Sequence, residues 1–222
     1  MIRSLAIFAG ALLVFSCARA ASQEASNAYP LHAAAANDDV AALQRLLSEG
    51  AEVDARDASG STALLVATRA NHNRAARVLI EAGADVNAKD NINDSAYLYA
   101  GARGHLEILK MTLAYGADLK STNRYGGTAL IPAAERGHVA TVQTLIEAGV
   151  DVDHVNKLGW TALLEAIILG DGGDRHRQIV DALLKAGANP NLADGDGVTP
   201  LQHARAHRYH EIETMLLAAG AR

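Results

Sequence analysis

The sequence predicts an all-α chain, a solenoid of about six helix–turn–helix units joined by short β-hairpin-like turns. Three observations predict it. A pattern recurs every 33 residues, anchored at Tyr29, Thr62, Ser95, Thr128 and Thr161, with a last copy 38 residues further on at Thr199. Small and apolar residues follow each anchor, as in Thr62-Ala63-Leu64-Leu65-Val66-Ala67 and Thr199-Pro200-Leu201-Gln202-His203-Ala204. Twenty-one residues after five of the six anchors stands a glycine, namely Gly50, Gly83, Gly116, Gly149 and Gly220, and in the fifth unit Gly187 arrives five residues late. A period of this length marks a stack in which each unit buries itself against its neighbours.

Each part of the unit has a physical reason. A Thr or Ser anchor suits a helix N-cap, because its hydroxyl accepts from an otherwise unpaired backbone N–H. Pro30 and Pro200 stand at the next position, where a missing N–H costs nothing. A short first helix follows and stops near Gly104 or Gly137. The second helix carries apolar residues at helical spacing, such as Leu106, Ile108, Leu109 and Leu113. It closes at the glycine, which takes the left-handed conformation that ends a helix. A tip containing Gly60, Gly126, Gly159 or Gly197 then reads as a tight turn.

Taken in order, residues 1–20 stand outside the stack, 21–28 form a short polar lead, and the units run near 29–57, 58–90, 91–123, 124–156, 157–193 and 194–222. The first opening helix serves as the N-terminal cap. Asp38 and Asp39 stand near the start of the second helix, where the dipole favours acid. Pro132 lies early enough in the fourth unit's opening helix for the helix to tolerate it. The fifth unit carries an insertion, Gly170 to Arg177, expected as a loop between its helices. Arg205, Arg208, Glu211 and Glu213 give the last unit a polar coat, as a terminal cap requires.

Residues 1–20 read as a secretory signal peptide: Arg3, an eleven-residue apolar run from Leu5 to Phe15 that is too short to span a bilayer, and Ala18-Arg19-Ala20 as a small-x-small cleavage site. Val14-Phe15-Ser16-Cys17 also looks like a lipoprotein box, which would tether the chain through a lipidated Cys17. Cys17 is the only cysteine, so cleavage after Ala20 leaves no thiol chemistry. The expected location is a bacterial periplasm. The chain carries 20 basic and 25 acidic residues, and removing Arg3 and Arg19 takes the net charge from −5 to −7. That balance disfavours nucleic acid as a partner.

The unit resembles the ankyrin repeat, which has 33 residues, a β-turn plus two antiparallel helices and a Thr-Pro-Leu-His-x-Ala signature. The likeness covers Tyr29 to Ala221, although only the first unit keeps the signature His, as His32. It implies binding of protein partners on an extended surface built from the hairpin tips and the exposed ends of the first helices. On that surface the register places Arg56, Ser59, Arg69, Lys89, Ile92, Arg103, Arg124, Tyr125, Glu135, Arg136, Lys157, Leu158, Trp160 and Asp196. Seven of these are basic and two acidic, against the trend of the whole chain. The candidate partner-binding residues are therefore Arg56, Arg69, Lys89, Arg103, Arg124, Tyr125, Arg136, Lys157, Leu158 and Trp160. Trp160, the only tryptophan, is the first candidate for an interface anchor.

No catalytic residue, metal site or cofactor is expected. His203 and His207 share a helix face and His210 follows, but no recognised spacing supplies a further ligand. His72, His105 and His138 recur at the starts of second helices and are expected to stabilise turns. Asp194-Gly195-Asp196-Gly197 lacks the acidic twelfth ligand of a calcium loop, since that position is Arg205. The glycines of 170–173 are flanked by Asp171 and Asp174, unlike a phosphate cradle. The expected function is a monomeric, non-catalytic periplasmic module that binds an exported protein with an acidic surface, inhibiting or sequestering a cell-envelope enzyme. The rival expectations are a scaffold or chaperone-like helper for an exported stress-defence enzyme, and a metal-binding protein using the C-terminal histidines.

Overall fold

The computed structural model describes residues 29–222; the expected signal peptide, Cys17 and the polar lead lie outside them. Twelve helices follow in pairs: α1 (Pro30–Ala36) and α2 (Val40–Ser48), α3 (Ala63–Arg69) and α4 (Asn73–Glu81), α5 (Ala96–Arg103) and α6 (Leu106–Ala114), α7 (Leu130–Glu135) and α8 (Val139–Glu147), α9 (Ala162–Ile168) and α10 (Asp174–Lys185), α11 (Pro200–His207) and α12 (His210–Ala218). The two helices of each pair pack together. The first helices pack in sequence as one layer and the second helices as another, so the chain is an all-α solenoid.

Small residues set the spacing of the first layer. Ala34, Ala67, Ala100, Ala133, Ala166 and Ala204 hold the same register position and are all buried. Gly101 sits where a Cβ would come within 2.7 Å of Ala129 Cβ, so α5 and α7 approach more closely than even alanine permits. Leu31, Leu64, Leu130, Leu163 and Leu201 fill one further position, and Tyr97 replaces leucine there in the third unit, fully buried.

The anchor hydroxyls of Thr62, Ser95, Thr161 and Thr199 accept from the backbone N–H three residues on, as expected of N-caps. Thr128 does not. Pro132 has no N–H to close a turn onto the Thr128 carbonyl, so α7 starts late, at Leu130. The buried Thr128 hydroxyl is left without a hydrogen-bond partner among the described residues. The proline is accommodated at the cost of a six-residue helix and a stranded cap.

The turn between the helices of a unit needs one left-handed residue. Gly104 and Gly137 supply it in the third and fourth units, while Asp38, Asn71 and Arg208 adopt it elsewhere. At Gly104 the next unit adds a second demand, because a Cβ would lie 2.7 Å from the His138 ring. Of the histidines that start second helices, His72 bonds back to the Ala35 carbonyl oxygen of the preceding unit at 3.0 Å. His105 and His138 make no such bond among the described residues.

The expected loop of 170–177 is only half a loop. Asp174 to Arg177 belong to α10, which reaches 12 residues where its counterparts have nine. The extension carries His176 to the place that His138 occupies one unit earlier. Its Nε2 donates to the Glu135 carbonyl at 2.9 Å, and its Nδ1 lies 2.7 Å from Asp171 Oδ1. The helix thus takes up part of the insertion, and residues 170–173 stay outside it.

Candidate functional site

The tips are built on one device. Asp57, Asp90, Asn123, Asn156 and Asp194, in register, each accept with Oδ1 from the backbone N–H two and four residues on. These are side-chain-closed turns that need no β-ladder. Accordingly, the one isolated bridge among the described residues joins Arg56 and Thr62, and the tips are tight turns, as the sequence predicts. Each turn lifts the residue two past its Asx into solvent. Ile92, Tyr125 and Leu158 hold that position in the three central units, and all are exposed. Ser59 and Asp196 hold it on either side, so the apolar ladder is confined to the centre.

Below the ladder lies a cavity of about 470 Å³ spanning the third to fifth units. Its cause is readable in the register. The residue before the anchor is Asp94 in the third unit and Trp160 in the fifth, but Gly127 in the fourth. The residue four past the anchor is Tyr99 in the third and Glu165 in the fifth, but Pro132 in the fourth. Two side chains are therefore short in the middle unit, and the flanking units wall the space that is left.

The cavity gathers Arg103, Arg124, Tyr125, Arg136, Leu158 and Trp160 from the predicted set, together with Glu135. Arg103 and Arg136 hold equivalent positions at the ends of successive first helices. The Arg136 guanidinium donates to the Ala102 carbonyl at 2.6 Å. That of Arg103 lies 5.9 Å from the Tyr99 ring centre and that of Arg124 4.9 Å from the Tyr125 ring centre. None of the three has a carboxylate partner within ion-pair distance among the described residues.

Arg56, Arg69, Lys89 and Lys157 do not line the cavity. Arg56 donates to the carbonyls of Gly60 and Lys89, Lys89 to that of Thr122, and Lys157 to that of Arg124. These three brace one tip against its neighbour. Arg69 is paired with buried Asp90 at 2.5 Å and bonded to Ser61. Of the predicted cations, Arg103, Arg124 and Arg136 are therefore the ones that line the cavity, and none of them is ion-paired among the described residues.

The cavity also holds carboxyls absent from the predicted set. Glu165, on α9, is buried and accepts from the Asn156 side-chain amide at 2.8 Å. Burial, and then the nearby Glu135 charge, push its carboxyl up to about 7, against the opposing effects of the Asn156 bond and Arg136. Asp94 is likewise raised, by burial and then by Asp90. Glu165 had a signal in the sequence: it is the one ionisable residue in Ala162-Leu163-Leu164-Glu165-Ala166-Ile167-Ile168, at the register position of Tyr99 and His203. Beside the groove, His105 and His138 are shifted down by burial and then by the neighbouring arginines, which favours their neutral forms.

The C-terminal histidines do not converge. His203 Nε2 lies 2.7 Å from Asp194 Oδ2, His207 stacks on Tyr209, and His210 stands 3.9 Å from Glu213. Among the described residues there is no group of three or more side chains placed to hold a metal ion. Nor is any helix there long and apolar enough to cross a membrane.

Comparison with known proteins gives concordant matches. The family model described as ankyrin repeats (3 copies) matches residues 5–90 and 97–194. An ankyrin repeat domain from Acinetobacter baumannii AYE is 73% identical, with a TM-score of 0.86 over 87% of this chain and 99% of that one. The ankyrin repeat protein EF0377 is 41% identical, with a TM-score of 0.81 over 84% of this chain and 96% of that one. The ankyrin repeat domain of Bcl-3, a member of the IkappaB family, is 29% identical, with a TM-score of 0.77 over 87% and 86%. The Escherichia coli K12 protein YahD, named as an ankyrin repeat protein, is 51% identical over 57 residues, which span 26% of this chain and only 28% of that relative.

Proposed function

Because the chain belongs to the ankyrin-repeat family, we propose that it is a non-catalytic binding module of the periplasm that grips an exported protein through its arginine-lined groove. Ankyrin repeats are a general protein–protein interaction module, and the family is one of non-catalytic interaction modules. The reading goes further in three respects: the compartment, taken from the signal-like first twenty residues; the acidic character of the partner; and the consequence, inhibition or sequestration of a cell-envelope enzyme. The observation that carries it is the meeting of Arg103, Arg124 and Arg136 with Tyr125, Leu158 and Trp160 around one cavity. Arginine beside aromatic residues is the composition of interface anchor points, and complementary charge speeds and orients docking.

The test is capture from a periplasmic fraction, with wild type and an Arg136→Ala/Trp160→Ala double variant side by side. The expected result is one exported protein held by wild type and lost by the variant. Loss of that protein's activity on binding supports inhibition, and unchanged activity points instead to a scaffold. Retention of the chain in the cytosolic fraction, or capture that ignores the double substitution, defeats the proposal.

A further inference from the structure

We propose that the cavity in the fourth unit is the receptacle for a single partner carboxylate, an Asp or Glu side chain on an extended segment, with an adjacent apolar residue seated on the shelf of Tyr125 and Leu158. This rests on the groove being a protein-binding face and adds the chemistry of what enters it.

Four observations carry the assignment. The first is shape. The recess exists because Gly127 and Pro132 withhold side chains that the units on either side supply, so the opening is local to one unit. Its volume of about 470 Å³ lies within the range of ligand sites and admits a side chain together with the backbone that bears it.

The second is charge. Arg103 and Arg136 stand on adjacent first helices and Arg124 on the tip between the ladder residues, none of them in an ion pair among the described residues. A planar guanidinium meets a carboxylate through two parallel hydrogen bonds, which makes arginine the side chain suited to this recognition. The lining also carries the carboxyls of Asp94, Glu135 and Glu165, and with Glu165 pushed up to about 7 the balance favours an anionic over a cationic ligand.

The third is preorganisation. Arg136 is tethered to the Ala102 carbonyl, and Arg103 and Arg124 rest against tyrosine rings. Groups already held near their bound positions lose less freedom when a ligand arrives. Burial of Glu165 acts in the same sense, since a carboxyl pushed up to about 7 is only partly ionised near neutrality, offsets the arginines less than an ordinary glutamate would, and in its protonated form can donate to an incoming oxygen.

The fourth is independent of the arginines. The exposed apolar ladder of Ile92, Tyr125 and Leu158 covers the same three units as the recess and stops at Ser59 and Asp196. An extended segment crossing the recess therefore meets apolar surface beside it, and polar tips beyond.

The test is selection from a random heptapeptide library on the immobilised full chain, with two variants in parallel. Arg103→Glu/Arg136→Glu reverses the charge at two exposed positions. Gly127→Leu plugs the recess and leaves the arginines alone. An added Cβ at Gly127 meets nothing closer than 3.6 Å, which makes room for the first carbon of the new side chain, and thermal melting checks that both variants fold. Wild type is expected to enrich peptides with Asp or Glu next to an apolar residue, and to report their binding through Trp160 fluorescence. Each variant is expected to lose about tenfold or more in affinity for them. Enrichment of apolar or basic peptides that Gly127→Leu still blocks overturns the carboxylate and leaves the groove reading intact. Enrichment only when the acidic residue is replaced by phosphoserine overturns it in the same way. Acidic peptides that bind the plugged variant as well as wild type show attraction without a receptacle and overturn it too. No enrichment at all, with a partner capture that Gly127→Leu leaves unchanged, overturns the receptacle; if the capture also ignores Arg136→Ala/Trp160→Ala, the groove reading goes with it.

Discussion

Replacing Glu165 by glutamine should make the protein more stable at alkaline pH and leave it almost unchanged in acid. The wild-type carboxyl is buried on α9 and titrates near 7, where an ordinary glutamate titrates near 4.5. The folded chain therefore binds a proton that the unfolded chain has already lost between those two values. Stability is greatest with respect to this group below pH 4.5 and falls as pH rises through 7. At 1.36 kcal/mol per pH unit, the interval corresponds to at most about 3 kcal/mol. Glutamine keeps the shape and can still accept from the Asn156 amide, so the hydrogen bond survives while the titration does not. Urea unfolding followed by far-UV circular dichroism, at pH 5 and at pH 8, measures the difference. Subtracting variant from wild type cancels the histidines that titrate in the same window. The expected advantage of the variant grows by about 2–3 kcal/mol between the two pH values. An advantage that stays flat would mean that the carboxyl is solvated in solution, and the buried floor of the cavity would have to be abandoned.

Four further substitutions test the local physics by the same unfolding measurement. Thr62→Val should cost about 1 kcal/mol, because it removes a working N-cap. The identical change at Thr128 should be neutral or stabilising by up to about 1 kcal/mol, because it removes a buried hydroxyl that has no partner; equal losses at the two sites would show that Thr128 is capping after all. Gly104→Ala should destabilise by at least about 1–2 kcal/mol, since it forces a side chain into the left-handed turn and against His138. Arg208→Gly relieves the same backbone conformation in the last unit and should stabilise by up to about 1 kcal/mol; a loss there would show that the arginine side chain supports the C-terminal cap.

The register made most of the fold legible, because 33-residue periodicity names the partner of every helix before any coordinate is known. Six of the ten residues it singled out, Arg103, Arg124, Tyr125, Arg136, Leu158 and Trp160, line one cavity. What it did not reveal is which of the predicted cations face the cavity. Arg56, Lys89 and Lys157 read in sequence just like Arg103, yet their side chains reach the carbonyls of adjacent tips, and only the stacking distance between units decides that. The insertion misled for a related reason. Residues 174–177 follow two glycines and read as loop, but the longer α10 brings His176 to the place that His138 holds one unit earlier, where it bonds the Glu135 carbonyl. Departures from the repeat are where such decisions fall, and one departure does not foretell another. Tyr97 replaces a leucine in the third unit, and the stack closes around the larger ring until it is fully buried. Gly127 replaces residues with side chains, and the stack does not close, because Pro132 on the neighbouring turn is also too short to fill the space. The recess is thus a property of two positions together. A substitution at Gly127 that closes it, while leaving every arginine in place, separates the shape of this surface from its charge.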